Sequence, residues 1–140
     1  MKAKEYLSRA RYINLEITAE LEAIAAMRTL AEKCTASLHA APGGSGSSRQ
    51  LEDICIKIRL AEQKVDSDID ELIRAKEELS RKIDSLEKPL PRTLLTLRYV
   101  CFMRWGDIAE RLGYSESYIY SLHDEALKEM DEILSRAESQ

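Results

Sequence analysis

Ile108-Ala109-Glu110-Arg111-Leu112-Gly113-Tyr114-Ser115-Glu116-Ser117-Tyr118-Ile119 is the stretch on which the reading of this chain turns. Gly113 can take the left-handed conformation that ends a helix, and Ser115 is a good N-cap for the helix that follows. Two helices crossing through so short a turn need a small residue where they meet, here Ala109. They also need apolar residues on both sides to hold the angle, here Ile108, Leu112, Ile119 and Leu122. The spacing predicts a helix-turn-helix with helices over 105–112 and from 116 to about 134. An apolar-faced helix over 92–103 is expected ahead of it.

Upstream, two breaks divide the chain. Lys-Pro-Leu-Pro (88–91) stops a helix, because proline cannot donate a backbone hydrogen bond and pushes the preceding residue toward extended geometry. Ala-Ala-Pro-Gly-Gly-Ser-Gly-Ser-Ser (40–48) holds three of the five glycines and is expected to be a flexible loop. The stretches 3–39 and 49–87 contain neither proline nor glycine. Their apolar residues recur every three or four positions. The first series runs Tyr6, Ala10, Ile13, Ile17, Ile24, Met27, Ala31, Cys34 and Leu38, with Glu20 in step. The second runs Leu51, Ile54, Ile58, Ala61, Val65, Ile69, Leu72, Leu79, Ile83 and Leu86. A repeat near 3.5 residues is a coiled-coil seam.

Folding at the glycine loop sets Ile24 opposite Val65, Ala31 opposite Ile58 and Cys34 opposite Cys55. The expectation is therefore an all-α chain: a long antiparallel coiled-coil-like helical hairpin over 1–88, a proline linker over 89–91, and a helix-turn-helix domain over 92–140. Each arm would measure about 55 Å. Leu7, Leu15, Leu21, Leu30, Ile56, Leu60 and Ile73 flank the seams and call for a partner, either the C-terminal domain or a second copy of the chain.

Composition narrows the function. Hydrophobic residues make up 44% and charged residues 33% of 140 residues, which suits a soluble helical protein. No apolar run approaches the roughly 20 residues of a membrane span, and the N-terminus does not read as a secretory signal, so a cytoplasmic location and no membrane partner are expected. Cys34, Cys55 and Cys101 have no metal-ligand spacing and are expected as buried small hydrophobes. His39 and His123 are isolated from acidic or cysteine partners. With no nucleophile–base pair, carboxylate cleft or phosphate loop, the chain reads as no enzyme, with no catalytic residues, no cofactor and no metal. The net charge of −4 opposes strong unaided nucleic-acid binding. Between Arg92 and His123 four arginines face three acids, so the helix-turn-helix is nearly neutral.

The segment from Leu90-Pro91-Arg92 through Arg98-Tyr99-Val100, followed by Trp105-Gly106-Asp107-Ile108-Ala109-Glu110-Arg111-Leu112-Gly113-Tyr114-Ser115, resembles region 4 of sigma-70-type factors. More closely, it resembles a family of small sigma-like proteins from prophages of Gram-positive bacteria. Leu122-His123-Asp124-Glu125-Ala126-Leu127 and Lys4-Glu5-Tyr6-Leu7 are similar to that family too. The resemblance implies control of phage transcription, with double-stranded DNA as partner and RNA polymerase or self-association in support. It implies a third helix in the major groove, reading bases through Ser115, Glu116, Ser117, Tyr118, Tyr120 and Ser121, with Arg104 and Arg111 on phosphates. Phe102, Met103 and Arg104 stand where region 4 has a glycine-containing turn, and the third helix carries no basic residue before Lys128. A terminase small subunit-like packaging protein and a protein-interaction adaptor are the alternatives.

Overall fold

Long runs of strong helix formers without proline or glycine fold as helices here, and the breaks between them fall at the residues that forbid continuation. The computed structural model describes residues 2–40 and 45–139; the side chains of 39–40 and 45–47 fall outside that description. The elements are α1 (Ala3–Leu7), α2 (Arg9–Ala40), α3 (Ser45–Ile83), α4 (Pro89–Leu95), α5 (Trp105–Leu112) and α6 (Glu116–Glu138). No strand occurs among the described residues, and no helix is long and apolar enough to cross a membrane.

Several boundaries differ from expectation for local reasons. Of the expected loop over 40–48, residues 41–44 lie outside the described residues, while 45–48 belong to α3. At its other end α3 stops at Ile83, and Lys88 is extended ahead of Pro89 (φ −92°, ψ 140°), as the residue before a proline tends to be. Leu86 N–H donates to Ile83 O at 3.0 Å and closes the intervening turn. Residues 89–91, read as a linker, form the first turn of α4, where the missing proline N–H costs nothing. Beyond Leu95 the helix widens into a π-turn over Thr96–Val100, and Cys101 N–H reaches back to Thr96 O at 3.0 Å.

The chain forms two compact units, one of residues 14–71 and the other of 1–13 with 72–140. In the unit of 14–71, α2 and α3 are buried along 3.5-residue seams. Between 14 and 38 the residues withdrawn from solvent are Asn14, Ile17, Glu20, Ile24, Met27, Ala31, Cys34 and Leu38. Between 48 and 71 they are Leu51, Ile54, Ile58, Ala61, Val65 and Asp68. Asp68, not the 38%-exposed Ile69, holds the seam position, and Cys55 stands exposed one residue past Ile54. The expected Cys34–Cys55 layer is therefore absent, and both thiols are free.

A polar layer interrupts the apolar seam. Lys64 Nζ lies 2.5 Å from Glu20, 2.8 Å from Asp68 and 3.3 Å from Glu16. Hydrogen bonds from Lys64 hold the Asp68 carboxyl below its usual range, and its carboxylate partners hold the ammonium above its own. These three carboxylates approach one another within 4.8 Å, with the Lys64 ammonium as their counter-charge. Arg28 pairs with Glu62 at 3.4 Å, so moving forward on α2 moves backward on α3. Leu15, Leu21, Leu30, Ile56 and Leu60 are about half exposed, at four different positions of the heptad, and so make no single stripe.

The other unit is organised around α6, roughly 35 Å long. Its N-terminal half buries Ile119 and Leu122 against Leu94, Ile108 and Ala109. Its C-terminal half buries Ala126, Met130 and Leu134 in a cluster with Ala3, Tyr6, Leu7 and Ala10, with Leu79, Ile83 and Leu86 of the α3 end, and with Tyr99. Polar contacts fix the N-terminal segment there. Ala3 N–H donates to Asp131 Oδ1 at 2.6 Å, Tyr6 Oη donates to Glu78 Oε1 at 3.2 Å, and Arg9 pairs with Glu78 at 3.7 Å. Burial and the Glu78 carboxylate push the Tyr6 phenol up to about 12. Helical hydrogen bonding continues across Ser8, whose N–H donates to Lys4 O and whose carbonyl accepts from Tyr12 N–H.

Because Leu7 is fully buried while Leu15 is half exposed, Leu7→Ala is expected to lower unfolding free energy by about 2–5 kcal/mol. Leu15→Ala should change it by less than about 0.5 kcal/mol. Urea denaturation of both variants checks this, and equal losses would show that the N-terminal segment is not part of the core.

Candidate nucleic-acid interface

The turn between α5 and α6 is built by two residues. Gly113 adopts φ 77°, ψ 29°, and the N–H groups of Gly113 and Tyr114 both donate to Ala109 O, at 2.9 and 3.1 Å. A Cβ at Gly113 would meet nothing within 4 Å, so glycine is needed for backbone conformation and not for space. Ser115 is extended (φ −70°, ψ 154°), and its Oγ accepts Tyr118 N–H at 3.2 Å, capping α6.

The turn into α5 solves the same problem without glycine. Phe102 takes φ 60°, in the left-handed region that a side chain rarely adopts. Met103 N–H donates to Leu97 O at 3.0 Å, and Arg98 Nη1 donates to Met103 O at 2.9 Å. The partly buried Phe102 ring packs on the core with Lys76 Nζ 4.7 Å from its centre. Packing and these hydrogen bonds offset the backbone strain, which is on the order of 1–3 kcal/mol for such a residue.

Arg98 also reaches over Trp105, its guanidinium carbon 4.5 Å from the ring centre. Trp105 meets Tyr120 at 5.4 Å and the edge of His123 at 4.5 Å. It is partly buried, packed against the Ile108–Ile119 cluster with Arg98 over its ring. His123, read as isolated, is buried and shares a hydrogen bond with Tyr99 24 positions upstream, Oη to Nε2 at 2.6 Å. Burial pulls the His123 imidazole down to about 4; the Asp124 carboxylate opposes this, while Lys4 and Arg98 add to it. Burial and then Arg11 lower Arg98, and burial pushes the Tyr99 phenol up to about 12.

All eight residues picked out by sequence are exposed: Arg104, Arg111, Ser115, Glu116, Ser117, Tyr118, Tyr120 and Ser121. Ser117, Tyr118, Tyr120 and Ser121 share the first two turns of α6, with the Tyr114 ring tilted against that of Tyr118, their centres 4.7 Å apart. Glu116 leans back over the start of α5, its Oε1 2.9 Å from where a Cβ on Gly106 would stand. Arg104 and Arg111 stand at opposite ends of α5, and Arg111 shares a groove of about 500 Å³ with Met103, Asp107 and Glu110. Arg111 is thus accompanied by two carboxylates. Sequence reasoning missed Arg98, although an arginine on an otherwise apolar helix face was the available signal.

The chain belongs to the DUF1492 family, described as a protein of unknown function, whose model matches residues 34–131. That match takes in the Gly113 turn and the exposed first turns of α6. No curated protein and no solved structure matches this DUF1492 chain.

Two predictions follow from the geometry. Since His123 titrates near 4 when folded against 6.5 as its ordinary value, the unfolded chain binds the extra proton between those limits. Stability is full above pH 6.5 and is lost as pH falls, by roughly 2 kcal/mol on reaching pH 5. His123→Gln should flatten that window in urea titrations, and an unchanged slope would contradict the assignment. Gly113→Ala should destabilise by about 1 kcal/mol through its positive φ, and Gly113→Asn by less, measured the same way.

Proposed function

We propose that this chain is a phage-type, sigma-like transcriptional regulator that binds double-stranded DNA through α5, the Gly113 turn and α6. In this reading the first turns of α6 enter the major groove and the long helices α2 and α3 act as an assembly hairpin, with RNA polymerase as a further partner. The chain works by binding and not by catalysis. The observation that carries the reading is the exposed Ser117, Tyr118, Tyr120 and Ser121 face, presented directly after a left-handed glycine and a serine cap. Serine hydroxyls donate or accept at base edges, and tyrosine rings offer apolar contact to thymine methyls. Capping spends the Ser115 acceptor on Tyr118 N–H, which leaves its hydroxyl hydrogen for a ligand.

Electrostatics set the strength. Asp107 and Glu110 beside Arg111 reduce its pull on a phosphate, so the phosphate contacts of α5 alone give weak binding with a shallow salt dependence, and a second copy or polymerase adds to it. Fluorescence anisotropy with a duplex from the chain's own upstream region tests this. Ser117→Ala and Tyr118→Ala are expected to change preference between sequences, by about 1–3 kcal/mol at the affected base. Arg104→Ala should weaken all duplexes about equally. Absence of binding at low salt, with polymerase present, would rule the reading out.

A further inference from the structure

The nearly neutral helix-turn-helix gains cations from a part of the chain far away in sequence. Leu7 and Ala10 lie in one apolar cluster with Leu95 and Tyr99, which seats the N-terminal segment beside the helix carrying Arg98. Lys4 and Arg11 are seven residues apart, two turns along one flank of that segment and roughly 10 Å from each other. Both are exposed, and among the described residues neither makes an ion pair shorter than 4.0 Å. Arg9 and Tyr6, on the opposite flank, are the residues that take Glu78. Arg11 is close enough to Arg98 to lower its affinity for a proton, and Lys4 does the same to His123. Arg98 in turn covers Trp105, whose ring also meets Tyr120 on the exposed face of α6. The strip is not free of acids nearby: Asp124 acts on His123, and Asp131 accepts the Ala3 N–H beside Lys4.

We propose that Lys4, Arg11 and Arg98 form a phosphate-contacting strip beside α6, so that the N-terminal segment grips the DNA backbone while the first turns of α6 read bases. Like charges held together without carboxylate partners repel one another, and a row of phosphates relieves that repulsion. The strip rests on the DNA-binding reading above and adds to it two cations, Lys4 and Arg11, that lie outside the 92–140 sequence. Its orientation follows from the chain Arg11–Arg98–Trp105–Tyr120, which ends on the reading face itself.

The test compares salt dependence of duplex binding by full-length wild type, Lys4→Gln/Arg11→Gln, the charge-keeping Lys4→Arg/Arg11→Lys, and Lys82→Gln/Arg136→Gln. The last pair removes the same charge near the C-terminal end of α6. Each phosphate contact adds about 0.9 to the slope of log affinity against log salt. The glutamine pair at 4 and 11 should therefore lower the slope by about 1.8. Between about 50 and 200 mM salt its affinity should then fall roughly twelvefold less than that of wild type. The charge-keeping and C-terminal variants should retain the wild-type slope. Binding by wild type with an unchanged slope in Lys4→Gln/Arg11→Gln overturns the strip and leaves the DNA reading standing. An equal loss of slope in Lys82→Gln/Arg136→Gln also overturns it, as general charge removal would explain both. No binding by wild type at low salt overturns the strip and the DNA reading together.

Discussion

Burial of α6 along its whole length is the constraint on which the rest of its unit depends. One face must satisfy α5 at its start and the N-terminal segment with the α3 end further on. A helix of about 35 Å curves only gently, so it serves the two clusters as one body. The direction in which its first turns project is therefore fixed by contacts made at Ala3, Leu7 and Ile83 as much as by the Gly113 turn. Removing apolar area at either end loosens the other, since both clusters share one rigid element.

Much of this was legible in local sequence. The turn residues Gly113 and Ser115 act through their own backbone geometry, and the seam from Ile17 to Leu38 follows from periodicity alone, so reading them needs no tertiary information. Long-range features were not legible. His123 finds Tyr99 24 positions away, and nothing in its neighbours hints at that. Ile69 looks like a seam residue by hydrophobicity, yet Asp68 takes the position because Lys64 supplies its counter-charge. Phe102 shows the converse: a bulky residue holds a conformation suited to glycine because its ring is packed and the turn is tied by Arg98. The cysteines were misjudged for a related reason, because apolar neighbours in sequence do not place Cys55 or Cys101 on a buried face.

Where the site is concerned, exposure and chemistry agree better than charge does. The tyrosines and serines at the start of α6 are available to a ligand, while Arg111 shares its groove with the carboxylates of Asp107 and Glu110. A reader of this composition needs backbone contacts from elsewhere. Lys4 and Arg11 meet that need only because Leu7 and Ala10 anchor the segment in the same unit, so the proposed function and the packing of the N-terminus stand on one arrangement.

Amide chemical-shift mapping of the full chain against a short duplex at low salt tests that arrangement most directly. The account predicts perturbations at 115–121 together with those around Lys4 and Arg11, and none over the buried second half of α6. Shifts confined to residues after Ala126, or at 115–121 with none near Lys4 and Arg11, would contradict it.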